Sequence, residues 1–128
     1  MRALLDTHTF LWFITGDARL SLAAQRLMED VRYDLLLSVA SIWEIAIQAG
    51  MGRLPLPLPI RSFIPRQVAE NEITVLPVAM EHALEAAYLP LHHRDPIDRM
   101  LVVRALAEQV PTLSADAALD RYGVHRVW

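Results

Sequence analysis

Five short, continuously apolar runs, each separated from the next by a longer helical pattern, constrain this chain more than anything else in it. The runs are "RALLD" (2–6), "YDLLLS" (33–38), "ITVLPV" (73–78), "VPTLS" (110–114) and "VHRVW" (124–128). A strand with one wet face alternates apolar and polar residues, whereas an unbroken apolar run is covered on both faces. The intervening "SLAAQRLMEDVR", "VASIWEIAIQAG", "IRSFIPRQVAENE", "EHALEAAYL", "DPIDRMLVVRALAEQ" and "DAALDRYG" read as helices. Ser21 marks one start, and Gly50 and Gly123 mark two ends. The alternation predicts an α/β sandwich around a largely parallel sheet of about five strands. Two places are irregular. Pro65 falls within one helical pattern, so that helix either starts near Ser62 or is kinked. "MGRLPLPLPI" (51–60) reads as an extended, proline-spaced connection, more apolar than a solvated loop.

Residues 1–128 are expected to form one domain around a single core. The chain has no Cys, which excludes disulfides and thiolate metal sites and suits a reducing compartment. Its apolar start contains Asp6 and lacks a small-residue cleavage site, and no later run of about 18 uncharged apolar residues follows. A soluble, unexported, cytoplasmic protein with no membrane contact is the expectation. All 12 basic residues are Arg and the net charge is −3, so the surface is not built to grip nucleic acid by charge alone. The lack of Lys removes a phosphoacceptor regulator, and Asp6 followed by Thr7 and His8 does not make the D-x-D pair of an aspartyl phosphotransferase.

The carboxylates carry the chemistry. Asp6 ends the first strand run and Asp116 follows the fourth by two residues, which assigns both to the carboxyl edge of a parallel sheet, where open α/β folds bind ligands. Asp98 opens the helix that precedes the fourth strand, and a right-handed crossover begins that helix at the same edge. Asp95 stands at its N-cap, Pro96 at its first position and Asp98 at its third, so capping and the helix dipole account for both aspartates locally. Glu44 lies in a helix apolar nearly all round and is expected to be buried, which requires a cation, a donor network, water or an Arg partner. Acids gathered without counter-charge repel, so their convergence implies a positive occupant. With oxygen ligands only, Mg²⁺ or Mn²⁺ fits best. The histidines do not have zinc spacing: His92 and His93 are adjacent, and His8, His82 and His125 are scattered, so each reads as structural or surface.

The stretches "LLDTHTFLWFITGD", "SVASIWEIAIQAGMGRLPLP", "LPLHHRDPIDRMLVVRA" and "LSADAALDRYGV" resemble the PIN-domain family, and more narrowly the VapC-type toxins of bacterial toxin–antitoxin pairs. The likeness runs through almost the whole chain. It implies a three-layer α/β/α PIN-like sandwich and a metal-dependent ribonuclease using Mg²⁺ or Mn²⁺. It also implies that Asp6, Glu44, Asp98 and Asp116 are the catalytic, metal-holding acids. Thr7 and Ser114 match hydroxyl positions that orient a carboxylate or a water, Asp95 assists as the cap, and Arg99 either meets phosphate or pairs with an acid. The implied partners are an RNA substrate, a cognate VapB-type antitoxin lying in a hydrophobic groove walled by residues 40–49 and "LPLPLP", and a second copy in a homodimer. Trp12 and Trp43 either stack on bases or pack in the core or an interface. The competing class is a non-catalytic α/β interaction module whose acids are only caps and ion pairs.

Overall fold

All five apolar runs become strands, shorter than the runs themselves. They are β1 (Arg2–Leu5), β2 (Asp34–Ser38), β3 (Thr74–Leu76), β4 (Thr112–Leu113) and β5 (Arg126–Val127). The structure is a computed structural model that describes residues 1–57 and 59–128, so the part of the proline-spaced connection at Leu58 lies outside the described residues. The sheet order is β3-β2-β1-β4-β5, and every pairing is parallel. In register, Leu4 lies beside Leu36 on one side and Thr112 on the other.

Side chains alternate across this sheet and define two core layers. Ala3, Leu5, Leu35 and Leu37 face a layer built with Phe10, Ala24, Met28, Ile45 and Ile64. Leu4, Leu36 and Leu76 face the other, with Leu101, Val102, Ala105 and Leu119. The first layer is covered by helices α1 (Thr7–Thr15), α2 (Leu22–Glu29), α3 (Val39–Gly50) and α4 (Ile60–Glu70). The second is covered by α6 (Pro96–Glu108) and a 3-10 helix (Ala117–Tyr122), and α5 (Met80–Tyr88) packs on α6. This is the three-layer α/β/α sandwich the sequence leads one to expect. Leu4 and Leu5 are fully buried, and each contributes about 1.5–3 kcal/mol relative to exposure.

Two local readings are corrected and a third is explained. Residues 7–15 form a helix that the apolar start obscured; Asp6 caps its beginning, and Gly16 ends it at φ 66°. α4 starts at Ile60 rather than near Ser62 and runs through Pro65, which removes one ladder bond in its second turn. In the connection before it, Leu54 and Leu56 pack on the core while Pro55 and Pro57 stay exposed, which explains its apolar character. Among the described residues no helix is long and apolar enough to cross a membrane.

Candidate metal centre

Asp6 follows β1 directly. Its N–H donates to the Leu113 carbonyl at 3.1 Å, and its Oδ1 accepts the Thr9 N–H at 2.6 Å, capping α1. Thr9 Oγ1 donates to the same Leu113 carbonyl at 2.8 Å, so the start of α1 is tied to β4. β4 leads through Ser114 to Asp116, whose N–H donates to Ser114 Oγ at 3.1 Å and whose Oδ1 accepts the Ala118 N–H at 3.0 Å. Asp95 caps α6, with Oδ1 accepting from Ile97 N–H at 2.8 Å and Asp98 N–H at 3.3 Å. Three aspartates thus use one carboxylate oxygen to cap a helix, which fixes the direction of the other.

Asp98 caps nothing. Its carboxyl is raised to about 6, chiefly by burial and then by the Asp95 charge, with His93 drawing it back and Asp6 and Asp116 adding to the rise. The four aspartates are therefore electrostatic neighbours; the carboxyl-edge positions of Asp6, Asp98 and Asp116 implied three of them, and the cap Asp95 is the fourth. Among the described residues no Arg forms an ion pair with any of them.

Glu44 departs from expectation. It is half-buried, because α3 leaves an apolar stripe in solvent: Val39, Trp43 and Ile47 are 42%, 64% and 41% exposed. A helix apolar all round is ordinarily buried all round, and this one is not. No Arg among the described residues pairs with Glu44. It lines a crevice of about 300 Å³ with Thr7, His8, Gln48 and Asp95, one of the four aspartates. Thr7 is buried at the crevice wall, and Ser114 is fully buried beneath Asp116. Trp43 stands in solvent and not in the core, whereas Trp12 packs at 5.7 Å from Trp128.

Among the described residues Arg99 pairs with no acid and does not line the Glu44 crevice. Its guanidinium donates to the carbonyls of Ala86, Leu89, Pro90 and His93 and to Tyr122 Oη, at 2.6–3.4 Å, and so holds the α5–α6 connection. The alternative in which Arg99 pairs with an acid is not seen among the described residues; loop carbonyls take the guanidinium instead.

The residue that sequence reasoning missed is His93. Its Nε2 lies 2.9 Å from Asp116 Oδ2 and 3.2 Å from Asp98 Oδ2, and its Nδ1 accepts the Asp95 N–H at 3.1 Å. Zinc-type spacing could not reveal it, since its partners come from other turns of the chain. The available signal was its position two residues before a capping Asp, where a ring can accept the cap's own N–H. A cation fits between the carboxylates. One oxygen each from Asp98 and Asp116 lies within 4.8 Å of the other and of His93 Nε2, with Asp6 close enough to raise Asp98. Hard divalent ions prefer such oxygen donors.

Comparison with known proteins agrees with this architecture. Ribonuclease VapC16 of Mycobacterium tuberculosis is 40% identical over 57 residues, 44% of this chain and 39% of that protein, so the match spans well under half of its length. VapBC2 from Rickettsia felis, solved bound to a DNA fragment from their promoter, superposes with a TM-score of 0.71 at 12% identity, covering 99% of this chain and 98% of that one. FitAcB from Neisseria gonorrhoeae gives 0.64 at 13% identity, covering 98% and 96%. At those identities the likeness is one of fold. The PIN domain model matches residues 3–124, and with the parallel sheet and the aspartates gathered at its carboxyl edge, the chain belongs to the PIN domain family.

Proposed function

We propose that this chain is a metal-dependent endoribonuclease of the toxin type, hydrolysing RNA phosphodiester bonds and neutralised by a cognate antitoxin. The observation that carries this reading is the group of four aspartates around Asp98, whose carboxyl is raised by burial and by its acidic neighbours with no Arg paired to any of them. A fold that keeps such repulsion has a use for a cation. The 40% identical stretch shared with a ribonuclease supports the substrate class.

In this reading Asp6, Asp98 and Asp116 hold Mg²⁺ or Mn²⁺, and Glu44 completes the set from the crevice wall. When bound, the metal supplies Lewis-acid chemistry, activating water and offsetting charge on the phosphate. The chain's own part is orientation. Thr9, Ala118 and Ile97 N–H groups fix Asp6, Asp116 and Asp95 by one oxygen each, and Ser114 steadies the turn that carries Asp116. Products would carry a 5′ phosphate and a 3′ hydroxyl.

An apolar groove of about 420 Å³, walled by Val39, Trp43, Val78, Ile97 and Met100, opens beside α6. It supports the antitoxin assignment, as do the VapBC and FitAB toxin–antitoxin complexes that share the fold. A homodimer and a cytoplasmic site of action complete the proposal.

One observation favours the interaction module: Asp6, Asp95 and Asp116 are all helix caps. Asp98 is not, and capping leaves each aspartate one further oxygen, so the two roles coexist. The deciding experiment is incubation of labelled RNA with the purified chain. Cleavage with Mg²⁺ or Mn²⁺, loss of cleavage in EDTA and in Asp6→Asn protein, and 5′ phosphates on the fragments are expected. RNA left intact under every metal tried would favour the interaction module.

A further inference from the structure

The α5–α6 connection aims a histidine at the acidic pocket and holds it there. Tyr122 Oη accepts the His92 and His93 N–H groups at 3.0 and 2.8 Å and donates to the Pro90 carbonyl at 2.7 Å. Arg99 Nη1 donates to the His93 carbonyl at 3.2 Å. With its backbone pinned from both sides, the ring of His93 has one bond at each nitrogen side: Nδ1 toward the Asp95 N–H and Nε2 toward Asp98 and Asp116.

The first bond decides the chemistry of the second. A nitrogen that accepts an N–H bond carries no hydrogen, so the ring's hydrogen belongs to Nε2. Nε2 is then a donor aimed at two carboxylates and has no lone pair for a metal. A hydrogen bond of 2.9 Å sets the hydrogen about 1.9 Å from the oxygen, close to the roughly 2.0–2.1 Å that Mg²⁺ keeps from its ligands. One space between Asp98 and Asp116 cannot hold both.

We propose that His93 is a stand-in for the cation: its Nε2–H holds the Asp98 and Asp116 carboxylates together in the metal-free chain, and metal binding displaces it. His93 is thus a positioning residue and not a ligand. The proposal rests on the reading of the aspartates as a metal site.

The test is titration of the full chain with Mn²⁺ alone, followed by calorimetry, for the wild type, His93→Ala and His93→Gln. Removing a competing charge-assisted hydrogen bond makes His93→Ala bind Mn²⁺ about tenfold more tightly. His93→Gln keeps a donor and stays within about twofold of the wild type. Unchanged or weaker binding by His93→Ala would overturn the proposal while leaving the metal site in place. No Mn²⁺ binding by the wild type would remove the metal site first, and the proposal with it. Should the Ala variant fail to fold, ¹⁵N spectra of the wild-type ring decide. Hydrogen stays on Nε2 when Mg²⁺ is added if His93 is displaced; its transfer to Nδ1 would mark a ligand and refute the idea.

Discussion

Replacing Asp98 by Asn should raise the stability of the metal-free protein, against the usual direction for a site in the first turn of a helix. Shifting a carboxyl from 3.8 to about 6 corresponds to about 3 kcal/mol, which screening at a side chain still 31% exposed reduces to about 1–2 kcal/mol. The sign follows from proton linkage. The folded chain holds the Asp98 proton more tightly than the unfolded chain, so the stabilisation is complete below about pH 3.8 and is lost as pH rises through about 6. At pH 7.5 Asp98 is ionised and opposes folding, and Asn removes that opposition while keeping an acceptor for His93. The competing loss, a negative charge near the α6 N-terminus, is about 0.3–1 kcal/mol and is the smaller effect. With that loss subtracted, thermal melts in EDTA at pH 7.5 should place Asp98→Asn about 1–5 °C above the wild type. At pH 4.5 the gain should shrink to about a third. With Mn²⁺ near 100 times its dissociation constant the wild type gains about 2.7 kcal/mol that the variant lacks, and the order of melting reverses. An Asn variant that melts below the wild type in EDTA, by an amount Mn²⁺ does not alter, would show that Asp98 serves the helix alone and would refute the crowded-acid argument.

Other substitutions separate the roles further. Asp95→Ala removes the α6 cap and should destabilise by about 0.5–2 kcal/mol in EDTA and in Mn²⁺ alike, read from melts in both. Arg99→Met should destabilise by about 2–4 kcal/mol, because four carbonyls lose a charged donor, yet leave the salt dependence of RNA binding unchanged. Glu44→Gln should move the EDTA melt by less than about 0.5 kcal/mol, since Glu44 is half-buried, while lowering Mn²⁺ affinity by calorimetry.

The sheet was legible because the strands are apolar on both faces: Leu35, Leu36 and Leu37 point to alternate layers and all three are buried. Asp6, Asp98 and Asp116 were legible because a parallel sheet assigns strand ends and crossover-helix starts to one edge, a rule that needs no side-chain detail. α1 was not read as a helix, because Phe10, Leu11, Trp12 and Phe13 extend the apolar run of β1; its signals, Asp6 before it and Gly16 after it, were present but Asp6 was already spoken for as a site acid. Glu44 misled for the opposite reason. Apolar neighbours suggested burial, but Trp43 and Ile47 face solvent, and a sequence does not say which apolar face a partner would cover. Arg99 was out of reach and His93 had only the local signal of standing two residues before a cap, since their longer-range partners arise from the path of the 89–95 connection between α5 and α6 rather than from any spacing.

β1 lies at the centre of the sheet, with Leu4 beside Leu36 on one flank and Thr112 on the other. The first neighbour is available early in synthesis, whereas the second arrives only when nearly all of these residues have left the ribosome. Asp116, just past that second neighbour, is thereby the last acid to join. A chain stalled or clipped before β4 can make two of the sheet's four pairings, β1–β2 and β2–β3, and still lack Asp116, so in the proposed reading the acid group is completed only after the first half of the sheet is in place.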